Sequence, residues 1–326
     1  MNYPEAKNSI DVHSSAFPAA HFIREIGRGV KGARSLSFTD AHHLFKAMID
    51  GKVSDLEMGA ILIAMRIKGE SVDEIAGFLQ AAESSFSPLQ APHSAFVPIV
   101  IPSYNGARRA ANLTPLLALL LAREGAPVLV HGVVLDAGRV TSAEIFHSLG
   151  IEVSTSQEQA EKNWQKGLPA FMPIEQVAPR LAQLLALRKI LGLRNSTHTL
   201  VKIMQPFAQP ALRLTSYTHP EYAAMLTQFF SVAADPARGD VLLMRATEGE
   251  TVANTKKVQQ IDWFHAREKT TLVEAQVGSD VIVPVPADAG GTANWIKQVL
   301  AGNEAVPDNI AQQVKFCLMV AQQKQG

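Results

Sequence analysis

The stretch Ile-Pro-Ser-Tyr-Asn-Gly-Ala-Arg-Arg-Ala-Ala-Asn-Leu-Thr-Pro (101–115) follows one hydrophobic run, Ala-Phe-Val-Pro-Ile-Val, and leads into another, Leu-Leu-Ala-Leu-Leu-Leu. A strand–loop–helix junction of this kind holds phosphate when bare backbone N–H groups at a helix N-terminus face the anion. This loop has a single glycine, Gly106, and a proline, which supplies no N–H. It adds two neighbouring guanidinium groups, Arg108 and Arg109. From its residues alone the loop is open to three readings: a phosphate cradle, a broken one, or a site turned to another anion. Further cations recur along the chain: Arg139, Arg188, Lys189, Arg194, Lys202, Arg245, Lys256 and Lys257. In Arg-Lys-Ile-Leu-Gly-Leu-Arg-Asn-Ser-Thr-His-Thr-Leu-Val-Lys (188–202), Arg194, His198 and Lys202 stand four apart and share one face if the stretch is helical.

The charge order supports sorting onto separate faces. Arginine and lysine together number 30, as do aspartate and glutamate, so the net charge is zero and a uniformly basic coat is excluded. Yet residues 84–123 and 176–220 contain no acid and carry several arginines and lysines. An N-terminal cluster, Arg24, Arg28, Lys31 and Arg34, reads as a solvated helix end. The ten histidines show no metal-ligand spacing, and the three tryptophans are too scattered for a stacking platform. A single cysteine, Cys317, excludes an intrachain disulfide and a cysteine-cluster metal site. Hydrophobic residues make up 47% of the 326 residues, enough for a sizeable core. No apolar run reaches bilayer length, and the N-terminal residues lack the pattern of a secretory signal. A cytoplasmic location and no membrane partner are the default expectations.

These residues need a scaffold, and the periodicity supplies one. Before residue 92 the chain reads as short helices, with Thr39 as the cap of the first long one. The patterns Ser54–Glu57 and Ser71–Glu74 are capping boxes. From about Phe96 candidate strands (Phe-Val-Pro-Ile-Val-Ile, Pro-Val-Leu-Val-His-Gly, Ala-Leu-Arg-Leu-Thr-Ser, Asp-Val-Leu-Leu-Met-Arg-Ala) alternate with helices at 113–123 and 142–149. That alternation predicts an α/β fold with a mostly parallel sheet. Two more helical stretches between 174 and 204 return to the N-terminal bundle. The expected domains are a helical one, 1–92 with 172–206, and an α/β one, 93–171 with 207–326.

The order of elements and the segments 48–71, 131–151 and 187–211 resemble the anthranilate phosphoribosyltransferase family, from about residue 20 onward. The resemblance implies a small α domain, a large α/β domain and a dimer formed through the α domain. It also implies a site for phosphoribosyl pyrophosphate and Mg²⁺, and here the chain departs from the family. The glycines of the family's loop, GTGGDG, fall on Pro102, Tyr104 and Asn105, with Gly106 in place of its aspartate; Asn112 matches. Of the family's HGNRS motif His131 and Gly132 match, and Val133 and Val134 do not. The metal-binding acids fall on Thr251 and Val252, with Glu248 and Glu250 close by. Arg188 matches the arginine that meets the acceptor's carboxylate.

Tyr104, Asn105, Gly106, Asn112, His131 and Gly132 are thus the remains of a donor site, and no catalytic residue, metal or cofactor is assigned. The segments 24–37, 188–202 and 245–257 resemble a YbiB-type branch, which keeps this fold and binds nucleic acid. The resemblance implies a homodimer that binds DNA, and RNA as well, without sequence specificity. The expected nucleic-acid-binding residues are the loop and cleft cations given above, with His198. Phosphoribosyl transfer to an aromatic acceptor is the alternative, and a protein-binding scaffold the third.

Overall fold

A computed structural model describes residues 17–29, 31–276 and 287–322. The reading of the first residues as lacking a secretory signal lies outside the described residues. Four helices come first: Ala19–Ile26, Phe38–Ile49, Asp55–Lys68 and Val72–Glu83. Both capping boxes form, Ser54 with Glu57 and Ser71 with Glu74. Glu74 does more than cap. Fully buried, it accepts from the N–H of Ser71 at 2.7 Å, the N–H of Leu36 at 2.9 Å and Lys68 Nζ at 2.6 Å. A buried carboxylate is tolerated because each of these donors compensates its lost hydration. The helix at 38–49 is capped by Ser37, not Thr39: Ser37 has the extended backbone of a cap and accepts from Asp40 N, while Thr39 already lies in the first turn.

Among the described residues the strands are β1 (Ile99–Ser103), β2 (Val128–Gly132), β3 (Ala170–Pro173), β4 (Leu212–Tyr217), β5 (Val241–Arg245), β6 (Ile261–His265) and β7 (Glu268–Val273). Their order is β3-β2-β1-β4-β5-β6-β7. Strands β1 to β5 are parallel, and β6 and β7 extend the sheet antiparallel. The parallel strands are buried almost throughout, as two-faced coverage requires. The chain runs outward from β1 through β2 to β3, then returns to β4 on the other side of β1. The carboxyl ends of β1 and β4 therefore flank a switch point, where open α/β sheets form their ligand crevice.

The second helical piece is broken into Ile174–Val177, Pro179–Ala186, Arg188–Leu191 and Thr197–Ile203. Leu181, Leu184 and Leu200 join Leu44, Ile61 and Phe78 in one buried cluster, and Arg180 Nη1 donates to the Ile49 carbonyl at 2.6 Å. The run 188–202 is not a single helix: it ends at Gly192, which is left-handed at φ 69°. Arg194 consequently sits in a loop ahead of the helix that carries His198 and Lys202, not on a shared helical face. Among the described residues no helix is long and apolar enough to cross a membrane.

Candidate functional site

The crevice at the switch point is walled by three loops. The first follows β1, the second follows β2 and the third follows β5. Gly132 lets the first two start side by side, because a methyl group there would collide with the Ser103 carbonyl. Ala107 and Val140 then pair through both backbone hydrogen bonds, at 3.0 and 2.8 Å. Asn112 fixes the far end. Its Nδ2 donates to Ser142 Oγ at 3.1 Å, and its Oδ1 accepts from Thr114 N at 3.1 Å.

The third loop contains a tight hairpin, Thr247-Glu248-Gly249-Glu250, closed by two backbone hydrogen bonds of 2.9 Å between Thr247 and Glu250. Both central residues have positive φ, 53° at Glu248 and 99° at Gly249, as two-residue hairpin turns of the primed type require. Glutamate tolerates that region poorly, so Glu248 is held in a strained backbone state. The turn aims two carboxylates at the first loop. Glu250 Oε1 accepts from Asn105 N at 2.8 Å and Gly106 N at 2.6 Å. Glu248 Oε2 accepts from Arg108 N at 2.8 Å and Arg109 N at 3.1 Å. The loop's amides are thus occupied by the chain's own carboxylates.

Side chains lock this arrangement. Asn105 Nδ2 donates to the Gly249 carbonyl at 2.7 Å, and Arg194 Nη2 donates to Asn105 Oδ1 at 2.5 Å. Arg139 Nη1 bridges the carbonyls of Gly106 and Glu248, at 3.1 and 3.0 Å. Burial opposes ionisation of Glu248, but the N–H groups of Arg108 and Arg109 and the Arg139 and Arg109 guanidiniums outweigh it and hold the carboxyl below its usual range. Glu250 is 1% exposed, and its Oε2 is buried without a hydrogen-bond partner among the described residues. Hydrogen bonds to a charged group contribute about 1.5–3 kcal/mol each, and the two at Oε1 are what offset the burial of the unpartnered Oε2. An external phosphate has to displace this carboxylate to reach the two amides.

Two further family positions are closed. Tyr104 Oη meets His131 Nδ1 at 2.7 Å, both buried. Burial pushes His131 down to about 3, so the ring is neutral; burial, with a smaller effect of Glu175, raises Tyr104 well above its ordinary value. Thr251 and Val252 are buried at the positions of the metal-binding acids, and Thr251 Oγ1 bonds Ser216 Oγ at 2.9 Å. With Glu248 and Glu250 committed to backbone amides, the residues present do not fit Mg²⁺, and no step is routed through it.

Around these filled amides stand the cations. Arg108, Arg109, Arg139, Arg194 and Arg245 line one pocket of about 470 Å³, with Glu248 its one acidic wall residue among the described residues. Burial first, then the fields of Arg188 and Arg139, lower the Arg194 value, so these groups act on one another. A smaller cavity of about 150 Å³ adjoins the pocket and shares Asn105, Arg194, Thr218 and His219 with it. His198 and Lys202 line this inner cavity. Burial, then Arg194, lowers His198 to about 4, and burial lowers Lys202 to about 8; Lys202 Nζ donates to the Gly249 carbonyl at 3.2 Å.

Arg188 and Lys189 are exposed on the short helix at 188–191, outside both cavities. Lys256 and Lys257 are exposed on a loop that lines neither. In the N-terminal cluster Arg28 and Arg34 lie 2.8 and 3.8 Å from the Glu25 carboxylate. Sequence reasoning missed Arg66, Tyr217, His219 and Tyr222 of the inner cavity. It also missed the task of Glu248 and Glu250, for which the Glu-Gly-Glu turn was the one local signal.

Residues 20–85 match the helical bundle domain of the glycosyl transferase family. The fold is that of the anthranilate phosphoribosyltransferases. The chain aligns with the enzyme of Thermus thermophilus at a TM-score of 0.67 and 20% identity, over 93% of this chain and 90% of that one. It aligns with the Saccharomyces cerevisiae enzyme, solved in complex with PRPP and Mg, at 0.69 and 14%, over 94% and 89%. Anthranilate phosphoribosyltransferase 2 of Ralstonia nicotianae is 31% identical over 186 residues, 57% of this chain and 52% of its own. Over 300 residues the chain is 44% identical to the uncharacterized protein YbiB of Escherichia coli (strain K12), 91% of this chain and 92% of that protein. The chain belongs to the YbiB family, within the anthranilate phosphoribosyltransferase-like fold.

The buried histidine gives a pH prediction. His131 has an ordinary value of 6.5 and a folded value of about 3. Between these pH values the unfolded chain binds the proton and the folded chain does not. Stability is therefore lost as pH falls below 6.5, with a slope of up to about 1.4 kcal/mol per pH unit from this group. His198 adds a similar loss between 6.5 and about 4. The His131→Asn variant is expected to show a flatter decline of the denaturant midpoint between pH 6.5 and 4. Parallel curves for the two proteins would contradict a neutral buried His131.

Proposed function

We propose that this chain binds nucleic acid, DNA and RNA alike, through the phosphate backbone and without sequence preference. The observation that carries the reading is the convergence of Arg108, Arg109, Arg139, Arg194 and Arg245 on one pocket whose backbone amides are already satisfied. Amides in a tight loop suit one small phosphate, while guanidinium groups spread over a wider opening suit successive phosphates of a strand. Phosphate contacts of this kind release counterions, so affinity falls steeply with salt. They position a strand without reading bases.

A second reading, phosphoribosyl transfer, has the fold and the names of several relatives in its favour. The amides taken by Glu248 and Glu250 and the buried Thr251 and Val252 weigh against it.

Arg108, Arg109 and Arg245 are exposed, and none of their side chains makes a hydrogen bond or ion pair among the described residues. Their joint replacement by Ala is expected to weaken binding to random single- and double-stranded DNA and to RNA in parallel. The slope of log affinity against log salt should shrink by about one for each phosphate that is no longer neutralised. Fluorescence anisotropy across a salt series measures both. Binding that is insensitive to salt, or lost for particular sequences only, would contradict the reading.

The same reading includes a homodimer. An apolar groove of about 620 Å³ runs between the helices 19–26 and 55–68 and is lined by Ile23, Ile63, Ile67 and Leu191 among others. Leu56 and Ile67, 85% and 65% exposed, make it an apolar patch of the kind that marks an interface. A second copy seated there would place two arginine pockets on one particle and raise avidity on a long strand. Sedimentation analysis should give a dimer for the wild-type chain and a monomer for Leu56→Asp/Ile67→Asp. A wild-type monomer at micromolar concentration would exclude this part.

A further inference from the structure

The inner cavity has a composition that backbone binding alone does not use. It lies between the helical and α/β layers, with Arg66 and Glu70 contributed by the helical side and Ser216, Tyr217, Thr218, His219 and Tyr222 by the segment from β4 onward. Its cations are held by neutral groups rather than by carboxylates in contact, and acids act on Lys202 and Arg194 only from a distance. Arg66 Nη1 donates to Tyr222 Oη at 2.9 Å, Arg194 donates to Asn105, and Lys202 Nζ donates to a carbonyl. Among the described residues none of the three forms a salt bridge with a carboxylate. The acid on the cavity wall, Glu70, accepts from Ser196 Oγ at 2.5 Å. Glu250 acts on Lys202 electrostatically, but its Oε1 is held by the loop amides. The cavity is thus lined by three cationic side chains and several hydroxyls with one acid between them.

Its size separates it from the outer pocket. About 150 Å³ against about 470 Å³ leaves space for a phosphate group and some water, since one water needs roughly 10–15 Å³ on this measure. A strand that must both enter and leave needs a through-channel. A strand end does not. An internucleotide phosphate carries one charge, whereas a terminal phosphomonoester carries about −1.5 to −2 at pH 7 and presents three acceptor oxygens. A dianion with three acceptors matches Arg66, Arg194 and Lys202 better than a diester does, and hydroxyls of Tyr217, Tyr222 and Thr218 can complete the shell. The two cavities share Asn105, Arg194, Thr218 and His219, so a strand ending in the inner one would continue directly along the outer arginines.

We infer that the inner cavity is a receptor for a terminal phosphomonoester, the phosphorylated end of a nucleic-acid strand whose following phosphates lie on the arginine pocket. The inference rests on the nucleic-acid reading and adds an end preference to it. Arg66 is the distinguishing residue, because it lines the inner cavity and not the outer pocket.

The test uses one oligonucleotide sequence in four forms: 5′-phosphorylated, 3′-phosphorylated, hydroxyl at both ends, and covalently closed. Competition anisotropy at fixed salt compares them on the full-length protein. One phosphorylated form is expected to bind about ten-fold tighter than the hydroxyl-ended and closed forms, the equivalent of one charge-assisted contact set. Arg66→Ala should bring that difference to within about two-fold without changing the affinity for the closed form, and Tyr222→Phe, which removes the hydroxyl that holds Arg66, should reduce it partly. A free nucleoside monophosphate should abolish the end preference and leave binding of the closed form intact. Equal affinity for all four forms would overturn the inference while leaving backbone binding in place. Binding of none of them would overturn the nucleic-acid reading itself. Calorimetric binding of the monophosphate with no strand-end preference would assign the cavity to a free phosphate ester and overturn the strand-end proposal.

Discussion

The buried carboxylate of Glu250, seated on the N–H groups of Asn105 and Gly106, is the contact on which the rest of the crevice depends. It ties the loop after β1 to the loop after β5 across the switch point of the sheet, where folds of this kind place their ligand. Glu248 repeats the bond one step along, on Arg108 and Arg109. Once both carboxylates are in place, no N–H from residue 105, 106, 108 or 109 is left to greet an incoming anion. Gly249 is needed for the same contact, since a side chain there would run into that of Asn105 at 2.7 Å. Arg139 and Arg194 then find their carbonyl and amide partners because the two loops are already joined.

That contact changes what a strand–loop–helix junction can recognise. A free amide cradle confers specificity for one small phosphate by close backbone approach; here the loop amides already meet Glu250 and Glu248, and Tyr104 Oη meets buried His131. Guanidinium groups work at longer reach and on less defined geometry, and five of them line the pocket of about 470 Å³ in front of the filled amides. The strained backbone at Glu248 fits the same account: a glutamate is kept in an unfavourable turn position where its carboxylate neutralises the amides behind the arginines. Without that neutralisation five arginines would meet the partial positive charge of the loop amides as well as one another.

Much of the scaffold was legible in the sequence for local reasons. Ser54–Glu57 and Ser71–Glu74 announce helix starts because the cap and its reciprocal glutamate are three residues apart. Strands β1, β2 and β5 are mostly apolar runs, as buried parallel strands are, while β4 buries Arg213, Thr215 and Ser216 between apolar residues. The hairpin of β6 and β7 was missed because its turn is Ala266-Arg267, at φ 47° and 71°, without the glycine or asparagine that normally marks such a turn. Strand β3 is four residues ending in proline, too short to show a period. The face expected from Arg194, His198 and Lys202 failed because Gly192 ends the helix first. All five arginines of the pocket were visible as residues, and the acid-free stretches pointed to Arg108, Arg109 and Arg194. The partners of Glu248 and Glu250 were not, since they lie about 140 residues away in the chain and no local pattern encodes such a contact.

The account stands most directly on the claim that the chain's own carboxylates fill the phosphate cradle. Isothermal calorimetry with inorganic pyrophosphate, with and without Mg²⁺, measures it on the wild-type chain and on Glu248→Ala/Glu250→Ala. The prediction is no Mg²⁺-dependent pyrophosphate binding by the wild-type protein, and an additional binding event in the double variant that Mg²⁺ does not improve. Tight, Mg²⁺-dependent binding of pyrophosphate by the wild-type chain, undiminished by Glu-to-Ala exchange, would contradict it.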